Sequence, residues 1–475
     1  MAWLHTILGL ITGWVLFAIA LSGSLSVFRQ EITRWMHPEL ADQPVDPLPA
    51  CSRGIDWLGQ HAGTAAAWYV ACPTPQAPFA TAIWPDAQGK YIQRVLDPQS
   101  GSPDGMRETF GGEFFYRFHF ELQLPYPWGR LIAAIAALAL VVALVTGIII
   151  HRRIFADFFT FRPNKGQRSW LDAHNLLGVA AFPFHLMISL TGAVTRAALL
   201  LPWSTQAVYR HDRMASYTEL NPALYSRPAS GQPGHLVPIP PLMQVANAHF
   251  RGAGIAQIYI FNPSDRAALV TFISGNNQTV STSAHIMTFD GVTGQVLNEH
   301  TETRPVIGLY TFLYGLHVAR FAPAITRALY FLSGMTLAAV IGSGMHLWAI
   351  KRLRQRPHLG HQIVSRLNVG IVAGTPLAFA AYFLSNRAFP PTLAGRAGYE
   401  VESVFMVWAL TLAFALFRRP ARAWPELLAA NALACFTIAL LSMPWANAVT
   451  FGTGAVALGL AGAFGYATFR LERQA

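Results

Sequence analysis

The stretch Leu171-Asp172-Ala173-His174-Asn175-Leu176-Leu177-Gly178-Val179-Ala180-Ala181-Phe182-Pro183-Phe184-His185-Leu186-Met187-Ile188-Ser189-Leu190-Thr191-Gly192 decides how this chain is read. It opens an apolar run, Leu171–Leu200, longer than the roughly 20 residues needed to cross a bilayer as a helix. Ionisable side chains inside such a run are costly and point to function. Here they are two histidines, His174 and His185. Eleven residues separate them, about 16 Å along a helix and close to three full turns. A continuous helix therefore presents both on one face at two depths.

Working outward, the whole chain has the same character. Of its 475 residues, 53% are hydrophobic and only 12% charged, against about a quarter charged in a soluble protein. Eight runs qualify as spans: Trp3–Phe28, Arg130–Ile150, Leu171–Leu200, Arg327–Ile350, Val364–Leu384, Val401–Phe417, Leu427–Met443 and Ala448–Phe469. The net charge of +11 does not indicate nucleic acid, because the basic residues cluster at the ends of these runs. His151-Arg152-Arg153 with Arg162, Lys165 and Arg168 forms one cluster. Lys351, Arg352, Arg354 and Arg356 form another, and Arg418, Arg419 and Arg422 a third. Placing all of them inside, with Arg470 and Arg473, puts both termini in the cytoplasm. The first run lacks a basic leader and is too long for a signal-peptide core, so it reads as a retained helix.

Two long polar segments then face outside. The expected fold is an all-α polytopic membrane protein of about eight transmembrane helices with two small α+β periplasmic domains. Residues 1–28 form the first span, 29–128 the first outer domain, and 129–200 two spans with a cytoplasmic loop. Residues 201–308 form the second outer domain, 309–350 an amphipathic segment and the fourth span, and 351–475 a four-helix extension. Each outer segment offers a helix and strands ending in an Asp-x-x-[Ser/Thr]-Gly turn, Asp97–Gly101 in the first and Asp290–Gly294 in the second. Cys51 and Cys72 lie where a disulfide is permitted, with their proximity left open. Cys435, inside a span, reads as apolar packing.

An internal repeat is the most informative feature. Trp3-Leu4-His5-Thr6-Ile7-Leu8-Gly9 resembles Leu171–Gly178, and His5 precedes Ser22-Gly23 by the same interval as His174 precedes Thr191-Gly192. Tyr116-Arg117-Phe118-His119 leads into Arg130 and Thr146-Gly147, just as Tyr314-Gly315-Leu316-His317 leads into Arg327 and Ser343-Gly344. The first four spans are thus two copies of helix, outer domain, helix, an arrangement that usually places the functional site between the halves.

Imidazole is a common axial ligand of haem, and a pair on facing helices can clamp the iron from both faces. His174 suits an inner haem and His185 an outer one. Inner partners are His5, His151 or His346; outer partners are His119 or His317. A straight helix holds the outer two too far out to meet His185, whereas Pro125, Pro127 and Pro323 allow an inward bend. The plainer reading of any single intramembrane histidine is an interhelical hydrogen-bond donor, and His151 also reads as a boundary residue. The glycines of the four Ser/Thr-Gly pairs read as helix-packing sites ahead of cofactor contacts, although haem also needs small neighbours. Arg130 and Arg327 read either as propionate partners or as boundary residues that snorkel. The cytoplasmic side has no glycine-rich dinucleotide-binding turn, so an electron donor is a quinol or a separate protein.

These stretches resemble the PepSY-associated transmembrane family, which includes iron-regulated membrane proteins and siderophore reductases. The resemblance rests on Leu4-His5 through Gly9, Ser22-Gly23-Ser24-Leu25, Phe118-His119, Leu171–Asn175, Phe184–Ile188, Leu316-His317, Leu329–Gly334 and Trp348 with Lys351-Arg352. It implies PepSY-like outer domains and two b-type haems in a bacterial inner membrane, with electrons passing outward to a ferric siderophore held between the outer domains. From the histidines themselves, His174, His185, His119 and His317 are taken as the haem-iron ligands and His5 and His151 as further cofactor-binding residues, with the pairing left open. Two rivals stand beside this reading: a sensor or inhibitor acting through the PepSY-like domains, and a transporter whose histidines relay protons.

Overall fold

The computed structural model describes residues 1–151, 161–210, 212–220, 225–275 and 279–473. The expected basic pair Arg152-Arg153 and His211 lie outside the described residues. In chain order the helices are α1 (Ala2–Ser26), α2 (Arg29–Met36), α3 (Pro47–His61), α4 (Glu113–Glu121), α5 (Trp128–Ile150) and α6 (Gln167–Ala180). Next come α7 (Phe182–Val194), α8 (Ala197–Leu200), α9 (Pro202–Tyr209), α10 (Arg213–Leu220), α11 (Ile239–His249) and α12 (Pro305–Val318). The last six are α13 (Ala324–Gln355), α14 (Leu359–Val372), α15 (Gly374–Ala388), α16 (Arg396–Phe417), α17 (Pro420–Leu441) and α18 (Ala448–Glu472). The strands are β1 (Ala67–Ala71), β2 (Ala80–Pro85), β3 (Tyr91–Leu96), β4 (Ile255–Phe261), β5 (Leu269–Ser274), β6 (His285–Asp290) and β7 (Val296–Thr301).

The chain divides into two compact units. The helical unit comprises Met1–Met36, Thr109–Leu200 and Pro323–Ala475, and the sheet unit His37–Glu108 and Leu201–Ala322. Among the described residues, seven helices are long and apolar enough to cross a membrane, counting α14 and α15 as one, and the pair α6 and α7 supplies an eighth. All eight expected runs are therefore found, and the protein is a multi-pass membrane protein.

The third span is not the straight helix expected. The chain breaks at Ala181, and α6 and α7 meet at 69°. Pro183 sits in the first turn of α7, where its missing N–H costs nothing and its ring blocks continuation of the preceding helix. The three-turn, one-face relation between His174 and His185 is therefore not realised. They belong to two segments pointing in different directions.

Within the helical unit α1 is central, packing against α13, α5 and α4. Small residues bring α1 and α13 close: a Cβ on Gly334 would meet the Ser24 hydroxyl, and one on Gly13 would meet the Met345 side chain 3.0 Å away. Such close backbone approach is how membrane helices gain van der Waals contact without a hydrophobic driving force. The extension α14–α18 joins the same core. Trp14 Nε1 donates to Asn368 Oδ1 at 2.8 Å, while Asn368 Nδ2 donates to the Met345 carbonyl at 3.0 Å. The Tyr382 hydroxyl donates to the Gly111 carbonyl at 3.1 Å, and its ring stacks on Phe114 at 4.5 Å.

The two outer α+β segments meet in one sheet unit. Its strands form one seven-stranded antiparallel sheet in the order β3-β2-β1-β4-β5-β6-β7. The two repeat copies join edge to edge where β1 pairs with β4, Tyr69 opposite Tyr259 and Val70 opposite Ile258. Each copy thus covers the other's exposed strand edge, removing a surface prone to aggregation. The joint is a ladder of paired strands, not a cleft between two domains. Cys51 of α3 and Cys72, just beyond β1, form a disulfide with Cα atoms 5.5 Å apart. Both Asp turns are built alike. Asp97 Oδ1 accepts from the amides of Gln99 and Ser100, and Asp290 Oδ1 from those of Val292 and Thr293. Gly101 and Gly294 close these turns at positive φ, +75° and +73°, a conformation glycine adopts at little cost.

Candidate metal centre

Four histidines of the helical unit are held by one repeated device. In each case a main-chain carbonyl of a neighbouring helix receives both a ring nitrogen and the hydroxyl of the residue three positions on. His5 Nδ1 lies 2.9 Å from the Ala143 carbonyl, which also accepts from Thr146. His119 Nδ1 lies 2.8 Å from the Ile19 carbonyl, shared with Ser22. His174 Nδ1 lies 2.9 Å from the Val340 carbonyl, shared with Ser343. His185 uses its other nitrogen: Nε2 lies 3.1 Å from the Ser333 carbonyl, shared with Thr336.

A carbonyl oxygen only accepts, so the nitrogen facing it carries the proton. The neutral rings of His5, His119 and His174 therefore have their lone pair on Nε2. That arrangement is typical of metal-bound imidazole, where the remaining N–H is spent on a carbonyl that fixes tautomer and orientation. In His185 the available nitrogen is Nδ1, which is buried and has no hydrogen-bond partner. An unpartnered buried acceptor is costly, and an axial metal bond is one way to satisfy it.

Three of the four glycines expected to serve helix packing, Gly23, Gly147 and Gly344, seat these rings. A Cβ at Gly23 would lie 2.6 Å from the His119 ring, one at Gly344 3.1 Å from His174, and one at Gly147 3.3 Å from His5. Each glycine follows its anchoring carbonyl by four residues. So the Ser/Thr-Gly pair is a unit: the hydroxyl and carbonyl fix the imidazole, and the glycine leaves room for it. Reading the pairs as packing sites missed this; the clue in the sequence was their constant interval from the histidines.

The structure brings His5 and His174 together. Their ring centroids are 6.4 Å apart and their planes cross at 81°. Two metal–imidazole bonds of about 2.0 Å, plus roughly 1.1 Å from each nitrogen to its ring centre, separate centroids by about 6 Å when one metal lies between. The spacing fits a shared metal. Among the described residues there is no group of three or more His, Cys, Asp or Glu side chains able to hold a metal ion. Two imidazoles are too few for a structural zinc site but match the axial pair of a haem.

A second level lies further along the same helices. On α1, His5 and the His119 anchor Ile19 are fourteen residues apart, about 21 Å. On α13, Val340 holds His174 and Ser333 holds His185. Because Gly334 abuts Ser24, the His119 and His185 anchors share that second level. The expected inward bend at His119 is achieved by a separate helix: α4 ends at Glu121, and Leu122 and Gln123 adopt left-handed backbone before α5 begins.

The remaining expected residues fall as follows. His151 caps α5, one turn beyond Gly147. His317 lies in the last turn of α12, in the sheet unit. Arg130 is paired with Glu121 and Arg327 with Glu31, at 3.1 and 2.6 Å, so both are neutralised by carboxylates. The cation that sequence reading passed over is Arg196, whose guanidinium lies 4.7 Å from the centre of the Phe120 ring, next in sequence to His119.

The family described as "PepSY-associated TM region" matches residues 2–351, and the chain belongs to that family. It is similar to the Pseudomonas aeruginosa protein named "Uncharacterized protein PA4219", at 24% identity over 353 residues, 70% of this chain and 87% of that protein. The family match ends inside α13, so most of the C-terminal extension lies outside it.

Proposed function

We propose that this protein is a haem-carrying reductase of the bacterial inner membrane, with both termini in the cytoplasm. It takes electrons from a quinol or a separate donor protein and delivers them to a periplasmic acceptor, a ferric siderophore or similar ferric chelate. The observation that carries this reading is the His5–His174 pair, spaced for one metal with both Nδ1 atoms already spent on carbonyls.

Two b-type haems, when bound, supply one-electron carriers at two depths. The chain's own residues do the rest. His5 and His174 hold the first level from α1 and α6. His119 and His185 offer the second. The apolar helices around both levels exclude water and so favour a stable redox couple. Reduction of the acceptor's iron to Fe(II) weakens its hold on hard oxygen ligands and releases the metal.

The test is an oxidised-minus-reduced absorption spectrum of purified protein with pyridine haemochrome quantification. Sharp b-type bands at about two haems per chain support the reading. A protein that stays colourless after haem reconstitution sinks it and leaves the histidines to proton relay or packing.

A further inference from the structure

His346 differs from the four anchored histidines. It is half-buried and makes no hydrogen bond to any described residue. Instead it sits in an aromatic corner. Trp170 of α6 meets its ring at 4.8 Å and 65°, and Trp424 of α17 closes the other side at 6.2 Å and 88°. The position in the helices is informative. His346 follows Ser343, which contacts His174, by one turn of α13, and Trp170 precedes His174 by one turn of α6. The corner therefore lies about 5 Å along the helices from the His5–His174 level, toward the end of α13 that carries Lys351, Arg352 and Arg354. Trp170 is 45% exposed, so the corner opens to the surroundings of the helices.

We propose that His346, Trp170 and Trp424 bind the head group of a lipid-soluble quinol, the electron donor of the reductase. The chemistry of the corner selects that class. A flat ring packs against indole rings, a quinol hydroxyl donates to an imidazole nitrogen that has no other partner, and the isoprenoid tail rests on the apolar helix surfaces. Oxidation of one bound quinol to quinone breaks two O–H bonds and releases two protons and two electrons. The imidazole and interfacial water take the protons. The electrons leave singly to the one-electron carriers of the proposed reductase, and for that purpose alone the inference rests on that reading. It also gives the extension a role, since α17 supplies one wall.

The test uses the full chain in nanodiscs, a photoreactive azido-quinone, and peptide mapping after illumination. Label is expected on the segments carrying Trp170, His346 and Trp424, displaced by excess ubiquinone. His346→Leu should weaken labelling about tenfold, the scale of one lost hydrogen bond from the imidazole N–H to a quinone carbonyl, and His346→Gln, which keeps a donor as well as an acceptor, should restore most of it. Scattered or undisplaced label, or equal labelling of both variants, overturns the site. Labelling needs no haem, so the two ideas separate: a colourless protein that labels here keeps the quinol site and loses the reductase. A haem-loaded protein that does not label loses the site alone.

Discussion

The imidazoles of His5 and His174 lie 6.4 Å apart with near-perpendicular planes, His5 tied through Nδ1 to a carbonyl of α5 and His174 to one of α13. Neither ring is free to turn, because rotation breaks its carbonyl bond and drives it into the backbone beside Gly147 or Gly344. Such preorganisation is what an axial ligand pair requires. Replacing either histidine by alanine should lower bound haem from about two to about one per chain. His185→Ala should remove the other. Pyridine haemochrome assay of the purified variants decides it, and unchanged stoichiometry in all three would remove these residues from the ligand set.

Gly23 gives a sharper test, because it abuts the His119 ring itself. A Cβ there would sit 2.6 Å from His119 Cε1 and Nδ1, closer than any real contact, so the ring must move. Gly23→Ala is expected to shift the spectrum or midpoint potential of one haem while leaving the His5–His174 haem intact. Gly9→Ala, with open space around it, is the control. Potentiometric titration of the two variants should show one altered wave in the first and none in the second.

How far the sequence carries this picture depends on the range of each interaction. The eight spans, the repeat and both Asp turns were legible because apolar run length and local turn chemistry act over neighbouring residues. His174 and His185 were singled out, but the one-face geometry expected of them is not realised. Pro183 was visible, but whether a proline kinks a span or opens a new helix depends on what packs around it. The β1–β4 joint was illegible for a different reason: it pairs residues nearly two hundred positions apart, and no local pattern encodes such a partner. β7 was overlooked because Val296–Thr301 alternates only weakly and is held by pairing with β6. His346 was weighed as a ligand, but nothing local indicates that α17 brings Trp424 to α13.

Acid should loosen the sheet unit in a defined window. Asp265 accepts from the Ser230 hydroxyl at 2.6 Å and from the amides of Ala267, Ser230 and Gly231. These bonds, that of the Ser230 hydroxyl foremost, hold its carboxyl down to about 2. Arg304 likewise holds Glu302 at about 2. Unfolded carboxylates titrate near 4, so folding favours the ionised forms. Their contribution is complete above about pH 4 and is lost as pH falls through about 2. Hydrogen exchange across β4 and β5 should therefore accelerate between those values. Asp265→Asn should show faster exchange already at pH 7 and a flatter response to acid; an unchanged acid profile would count against the assignment.

The extension is held to α4 by buried charge, and this makes its contribution measurable. Arg396, Glu400 and Asn386 are all inaccessible to solvent. Glu400 accepts from Arg396, from the Thr109 hydroxyl and, at 2.8 Å, from Asn386 Nδ2. Thr109 and Gly111 form the turn that leads into α4, and Gly111 is gripped by Tyr382. Removing Glu400 alone strands a guanidinium in a low-dielectric interior, a loss of about 3–5 kcal/mol. Replacing the pair together, as in Arg396→Met with Glu400→Leu, removes the stranded charge and should recover much of that. Because α4 carries His119, the single Glu400→Ala change should also loosen the second histidine level before the first. Thermal unfolding in detergent, followed with the haem spectrum, separates the outcomes. If the single variant loses under 1 kcal/mol, or both levels melt together, the network is not what positions α4.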